Sequence, residues 1–319
     1  VHFMAETIAT LANDDQQVWI TNPKAGCTME MMAKDWMVLP VAEELIAKYG
    51  DDLVVIAYMN TSGRIKAIAG QTGGAVCTSS NAPLIVDWAR KQGKKILFVP
   101  DEHLGRNTAV KCGMDLSSVC TLGDPHTYGV TWKAADCETD SAEMICWGGY
   151  CGVHTVFTPE QVRWWKEKGW QVIIHPESKL EAVQEADGSG STAYLWNTVM
   201  EAPKGSKFAV GTEGHFVRNL QEQAAAIGID VMHLAEAAIE NADNTSGGCG
   251  CATMSRNDPP HLAGMLDLLR KGKAPDINRV LAGDVVNEQT AERQRLFGED
   301  RAIMVTNAKL ALERMIEIT

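Results

Sequence analysis

Nine cysteines, at positions 27, 77, 112, 120, 137, 146, 151, 249 and 251, are the most reactive side chains in this chain of 319 residues. Two of them fall in Glu143–Phe157, EMICWGGYCGVHTVF, which also places a histidine three residues after Cys151. A disulfide loop, a Cys/His nucleophile pair or one corner of a metal site would each use that spacing. An odd number of cysteines scattered over a chain of this size argues against a disulfide framework and for metal binding or catalysis. Cys27, Cys151 and Cys251 share glycine-rich surroundings (PKAGC, GYCG and GCA) and lie 124 and 100 residues apart, roughly one module each. Thiolates are the ligands suited to zinc and iron–sulfur clusters. A set of three leaves one coordination position for a substrate, although any one of them alone reads equally well as a small buried hydrophobe. Cys112, Cys120 and Cys137 lie in an irregular stretch and read as incidental or locally structural.

A second constellation is polar. It comprises Tyr58-Met59-Asn60-Thr61-Ser62, Thr78-Ser79-Ser80-Asn81, His175-Pro176-Glu177, Gly190-Ser191-Thr192 and Gly211-Thr212-Glu213. Each follows a run that reads as a strand, and open α/β sheets bind ligands beyond the carboxyl ends of their strands. Hydroxyls and backbone N–H groups that open a helix suit a phosphate or carboxylate, or simply cap the helix. His175 and Glu177 on alternate residues of a strand end would point the same way, as an acid/base pair could. There is no GxGxxG after a strand, no Walker A motif and no HExxH, so dinucleotide, P-loop and zincin chemistry lack their signatures. The aromatic stripe of Trp164, Trp165 and Trp170 reads as core.

The elements that would position these groups are an alternation of strands and helices. Leu53–Met59, Ile96–Pro100, Gln171–His175 and Lys207–Val210 are short apolar runs expected to be buried parallel strands. Ala82–Gln92 and Thr158–Lys168 carry helical periodicity, the second opening on Thr-Pro-Glu-Gln, a capping signal. Ser79 to Pro100 and Ser191 to Thr212 both span 21 residues, and each runs from a hydroxyl-bearing turn through a helix and a strand to an acidic loop. The echo, with the opening piece as the back half of a third copy, predicts an α/β fold of related modules with small parallel sheets packed together. Residues 1–45 read as the remnant of a first domain, 46–145 as a second with an insertion at 112–144, and 146–285 as a third. A C-terminal helix within 286–319 is expected to pack on the first. The opening VHFMAE has no initiator Met and reads as a strand end entering a helix, so an upstream segment is expected.

With 45% apolar and 22% charged residues the chain can bury a large core, and its net charge of −12 disfavours nucleic-acid binding. Its apolar runs are too short to span a bilayer, and no signal peptide is visible, so a cytoplasmic location is the expectation.

In series, VHFMAET, AGC, Y-x-N-T-S with T-S-S-N-A, V-P-D-x-x-L-G, G-Y-C-x-V-H-x-x-F, H-P-E, G-S-T, G-T-E and C-x-x-M-x-x-N resemble the quinolinate synthase family over Val1 to Asn257. The resemblance implies three α/β modules packed around a central active-site cavity, with a [4Fe–4S] cluster held by Cys27, Cys151 and Cys251, one from each domain, and an open iron acting as Lewis acid. It implies condensation of iminoaspartate with dihydroxyacetone phosphate to quinolinate, with loss of phosphate and water and no redox change. Tyr58 and Asn60 would position substrate. Ser79, Ser191 and Thr192 would hold anionic oxygens, His154 and His175 would hydrogen-bond to substrate, and Glu177 would be the general base or acid. An iminoaspartate-producing enzyme is the implied functional partner. The chain departs from the pattern in Gly148 and Gly152, where prolines are usual, in Ala252 after Cys251, and in the length of the insertion. An upstream cavity-lining segment of the family is also missing, so this polypeptide alone is expected to have weak or no activity. Cys249 falls outside the ligand position. The residues also leave open a non-catalytic iron–sulfur or zinc protein sensing redox state through Cys249 and Cys251, and a plain α/β sugar-phosphate or carboxylate binder.

Overall fold

The computed structural model describes residues 1–123, 137–239, 250–286 and 293–319. Cys249 and part of the 112–144 insertion lie outside the described residues. The chain opens with α1 (His2–Leu11) and β1 (Val18–Trp19), followed by α2 (Thr28–Met31) and α3 (Asp35–Tyr49). The next stretch alternates β2 (Leu53–Tyr58), α4 (Gly63–Gln71), β3 (Ala75–Cys77), α5 (Ala82–Lys91), β4 (Lys95–Val99) and α6 (Glu102–Lys111), ending on β5 (Val119–Thr121) and β6 (Met144–Cys146). These strands form one parallel sheet in the order β3-β2-β4-β6-β5. All six residues of β2 are buried. A strand covered by helices on both faces must be apolar throughout, which is why LVVIAY does not alternate.

The second alternation comprises α7 (Pro159–Glu167), β7 (Gln171–Ile174), α8 (Leu180–Glu185), β8 (Gly188–Ser189), α9 (Thr192–Met200), β9 (Lys207–Gly211), α10 (Gly214–Ala226) and β10 (Asp230–His233). Its strands make a parallel sheet in the order β10-β9-β7-β8. The capping signal at Thr158 forms a full capping box with Gln161. Trp165 is buried against its Trp164 and Trp170 neighbours and donates to the Leu234 carbonyl, as a core residue.

Two features of the fold differ from the sequence reading. Inside the irregular 112–144 stretch, Val119–Thr121 forms the edge strand of the first sheet, and Cys120 is joined to Cys137 by a disulfide with Cα atoms 5.7 Å apart. The closing helix α12 (Gly298–Ile318), which comes after α11 (Pro259–Arg270) and β11 (Arg279–Val280), lies chiefly on α4 and β3 and only secondarily on α1. The physical reason is Gly70: a β-carbon there would collide with the backbone carbonyl of Asn307, so its absence lets α4 and α12 approach backbone to backbone. The opening segment is completed instead by β11, which pairs antiparallel with β1 around Ala5, Ile20, Ala25 and Val280.

Glu6 ties these pieces together. Its carboxylate accepts the Gly63 N–H at 2.8 Å, opening α4, and the Gly283 N–H at 2.9 Å. Burial pushes this carboxyl up to about 7, against the pull of His2 and Lys66. The folded protein therefore holds the proton more tightly than the unfolded chain, whose carboxyl titrates near 4.5. The stabilisation is full below that value and is lost as pH rises through about 7, by at most about 3 kcal/mol. Urea unfolding between pH 4 and 8 should show this decline in the wild type and a flatter profile in Glu6→Gln. Parallel profiles would assign the dependence to another group.

Candidate active site

Both sheets deliver chemistry from their carboxyl ends, as open parallel sheets do. Tyr58 is the last residue of β2, Asp101 caps α6 just beyond β4, and Cys151 lies in the loop after β6. From the second sheet come His175 and Glu177, in the turn after β7, and Thr212 after β9. The two ends meet at Glu177. Tyr58 Oη donates to Glu177 Oε1 at 2.5 Å, and His154 Nδ1 lies 2.8 Å from Oε2. His154 Nε2 is in turn 3.1 Å from Thr212 Oγ1, giving a continuous chain from phenol through carboxylate and imidazole to hydroxyl.

An ionised carboxylate only accepts, so His154 Nδ1 carries a proton and donates to it, while Nε2 shares the hydrogen bond with the Thr212 hydroxyl. His175 stacks on His154 with ring centroids 4.4 Å apart. Its Nδ1 accepts the Glu177 backbone N–H at 3.3 Å, which puts the ring proton on Nε2. Tyr58, His154, His175, Glu177 and Thr212 are between 0 and 8% exposed, so water does little to settle their charges. Burial alone would raise the Glu177 pKa. The His175 and His154 rings and the hydrogen bonds from His154 and Tyr58 outweigh it and hold the carboxyl at about 2. Burial, with His154 beside it, lowers His175 to about 3 and keeps that ring neutral. Asp101 behaves in the opposite way: fully buried and close to the Glu177 charge, it is pushed well above the carboxylate range.

The thiols border this group. Cys151 Sγ lies within 4.8 Å of ligand atoms of His154 and Glu177, a set with the chemistry of a metal site. Asn60 Nδ2 approaches Cys27 Sγ at 3.9 Å. Burial raises Cys27 to about 12 and Cys151 well above a free thiol, and each is pushed further up by the Glu177 charge. Cys251 is half-buried, with its backbone N–H on Glu213 Oε1 at 3.0 Å and its sulfur 3.2 Å from Thr253 Oγ1. Its segment is tied to the loop before Cys27 through Arg256 on the Lys24 carbonyl and Thr21 on Asn257. Glu213 holds this corner by capping α10 at Phe216 and accepting from His215.

The predicted site residues thus divide. Tyr58, His154, His175 and Glu177 come together. Ser79 lines, with Asn107, Pro176, Ser189 and Gly190, a cavity of about 260 Å³ between α6 and α8. Ser191 spends its hydroxyl capping α9 on the Tyr194 N–H, and Thr192 is exposed. His175 and Glu177 are not the strand pair the alternation implied: β7 ends at Ile174, and it is His154 that bonds the carboxylate. Asp101 and Thr212 were given no role from sequence, although they lie in the V-P-D and Gly211-Thr212-Glu213 motifs. Each is the first or second residue past a buried apolar strand, and that position was the available signal.

A buried acid–imidazole–phenol chain at facing strand ends, bordered by thiols, defines an α/β enzyme. The model of the quinolinate synthetase A protein family, NadA, matches residues 1–294. A quinolinate synthase of Streptomyces coelicolor is 40% identical over the whole chain, which covers 73% of that relative. Those of Herpetosiphon aurantiacus and Acidobacterium capsulatum are 39% and 38% identical, again over the whole chain, with 77% and 78% of their own lengths covered. This chain belongs to the quinolinate synthase family of NAD biosynthesis. No described helix is long and apolar enough to cross a membrane.

Replacing Tyr58 by Phe removes the donor on Glu177 Oε1 and should raise the Glu177 pKa from about 2 by on the order of one unit. Carboxyl-labelled NMR titration reads this directly. An unchanged value would mean that the phenol does not hold the charge.

Proposed function

We propose that this protein condenses iminoaspartate with dihydroxyacetone phosphate to give quinolinate, phosphate and two waters, using a [4Fe–4S] cluster held by Cys27, Cys151 and Cys251. The donor set fits the group. All three cysteines are free of disulfides, and thiolates are the ligands such clusters take. Burial and mutual proximity disfavour Cys27 and Cys151 as bare thiolates, and a cationic iron core is what would offset that cost. When bound, the cluster supplies a Lewis acid through an iron lacking a protein ligand.

The observation that carries the reading is the Tyr58–Glu177–His154–Thr212 chain beside Cys151. Glu177 Oε1 or Oε2 takes up a proton from a substrate carbon and returns one to a leaving hydroxyl. Tyr58 and His154 Nδ1 hold the carboxylate ionised between these events. His175, neutral with its proton on Nε2, donates to a substrate oxygen. Asn60 orients substrate beside Cys27, and Ser79, Ser191 and Thr192 receive carboxylate or phosphate oxygens, a role for which hydroxyls at helix starts are suited. Exclusion of water by the buried walls strengthens each of these contacts. The setting we infer is cytoplasmic, with iminoaspartate supplied by a separate oxidising enzyme.

The test is anaerobic reconstitution of the full-length protein. About four irons per chain are expected, with quinolinate formed from the two substrates. Cys27→Ala, Cys151→Ala and Cys251→Ala should each abolish the iron chromophore, whereas Cys146→Ala should keep it. Iron and spectrum persisting in any of the first three would overturn the ligand set. Stoichiometric zinc with no quinolinate would favour a non-catalytic metal protein.

A further inference from the structure

The carboxylate of Glu177 belongs to one sheet's loops and its phenol partner to the other's, so something must fix the turn 175–178 relative to the first sheet. That turn is closed internally only by Ser178 N–H on the His175 carbonyl at 3.0 Å and by the Glu177 N–H on His175 Nδ1. Neither contact reaches the module that carries Tyr58. Asn107 does. It lies on α6, whose first turn is fixed by the Asp101 carboxylate accepting the Leu104 N–H at 2.6 Å. From there its side-chain amide Nδ2 donates to the Pro176 carbonyl at 2.8 Å and to the Ser178 carbonyl at 2.8 Å.

An amide nitrogen has two hydrogens, and both are used on carbonyls that flank Glu177 on either side. Asn107 is 7% exposed, so these bonds form away from competing water. The same helix also holds the Cys151 loop, through the Glu102 N–H on the Gly149 carbonyl at 2.8 Å. We propose that Asn107 is a positioning residue that pins the backbone on both sides of Glu177, and so sets the carboxylate at hydrogen-bonding distance from Tyr58. The proposal rests on the reading of Glu177 as the proton carrier of the condensation. A catalytic carboxylate must be held within about 0.5 Å, and a displacement of about 1 Å costs about 10²-fold in rate.

The experiment uses the full-length protein with its iron–sulfur cluster and assays quinolinate formation. Asn107→Asp keeps the shape but faces two carbonyls without a donor, and Asn107→Leu removes both donors without adding a buried charge. Either variant that folds should lose about 10²-fold in kcat, with KM changed less than about threefold. In a Glu177→Gln background the same substitution should cost less than about threefold, because the group it positions is already gone. Equal losses in both backgrounds, or a loss carried by KM, would make Asn107 a general interface contact and overturn the proposal. A crystal structure of Asn107→Leu gives a readout independent of turnover. The separation of Tyr58 Oη from Glu177 Oε1 should open from 2.5 Å to beyond the ~3.0 Å limit of such bonds, and an unchanged bond overturns the proposal. A wild type that makes no quinolinate refutes the functional reading, whereas the structure of the variant still decides the positioning role.

Discussion

The hydrogen bond from Tyr58 to Glu177 joins two sheets that otherwise share no strand. Its donor ends β2 and its acceptor follows β7, so the bond exists only while the two sheets present their carboxyl ends to each other. The rest of the centre depends on it. With the phenol in place, Glu177 is satisfied on both oxygens and remains a carboxylate at 3% exposure. Without it, one buried oxygen would lack a donor, a deficit of about 1–3 kcal/mol that the fold would resolve by protonating the acid or moving the turn.

Charge is arranged around this point by opposition. Glu177 is held ionised by donors, while Asp101, buried as deeply and within reach of the Glu177 charge, is driven towards its neutral form by burial and by Glu177 itself. Two carboxyls whose environments push their pKa values apart can divide the work of taking and giving protons. The neighbouring thiols experience the same field. Burial and negative neighbours make bare thiolates costly there, so the centre favours a positively charged occupant.

Much of this was legible before the structure, and the exceptions have physical causes. β2, β4, β7 and β9 are runs of four to six residues buried on both sides, and such runs read as strands without needing alternation. β3, β5 and β6 are three residues long, below the length at which periodicity speaks, and β10 has only two of its four residues buried. His175 and Glu177 were visible as a pair, but the true partners of Glu177 were not, because His154 and Tyr58 arrive from 23 and 119 residues away in sequence. Ser191 was read as an anion ligand and also fits the cap that its local sequence prescribes. The destination of α12 was hidden for a different reason. It depends on what is missing at Gly70, and the absence of a side chain has no periodicity.

That last contact also orders events in time. α4 and β3 are made early, yet Ala67, Ile68 and Val76 are covered by Met304, Ala308, Ala311 and Leu312 from the far end of the chain. While a ribosome is still adding the second sheet, the part of this apolar face that α12 covers lacks its partner, and stays so for more than two hundred residues of synthesis. The first sheet's helix-covered face is thus closed last, and the protein's passage through translation is a period of exposure for it, the kind of transient apolar surface on which nascent chains associate.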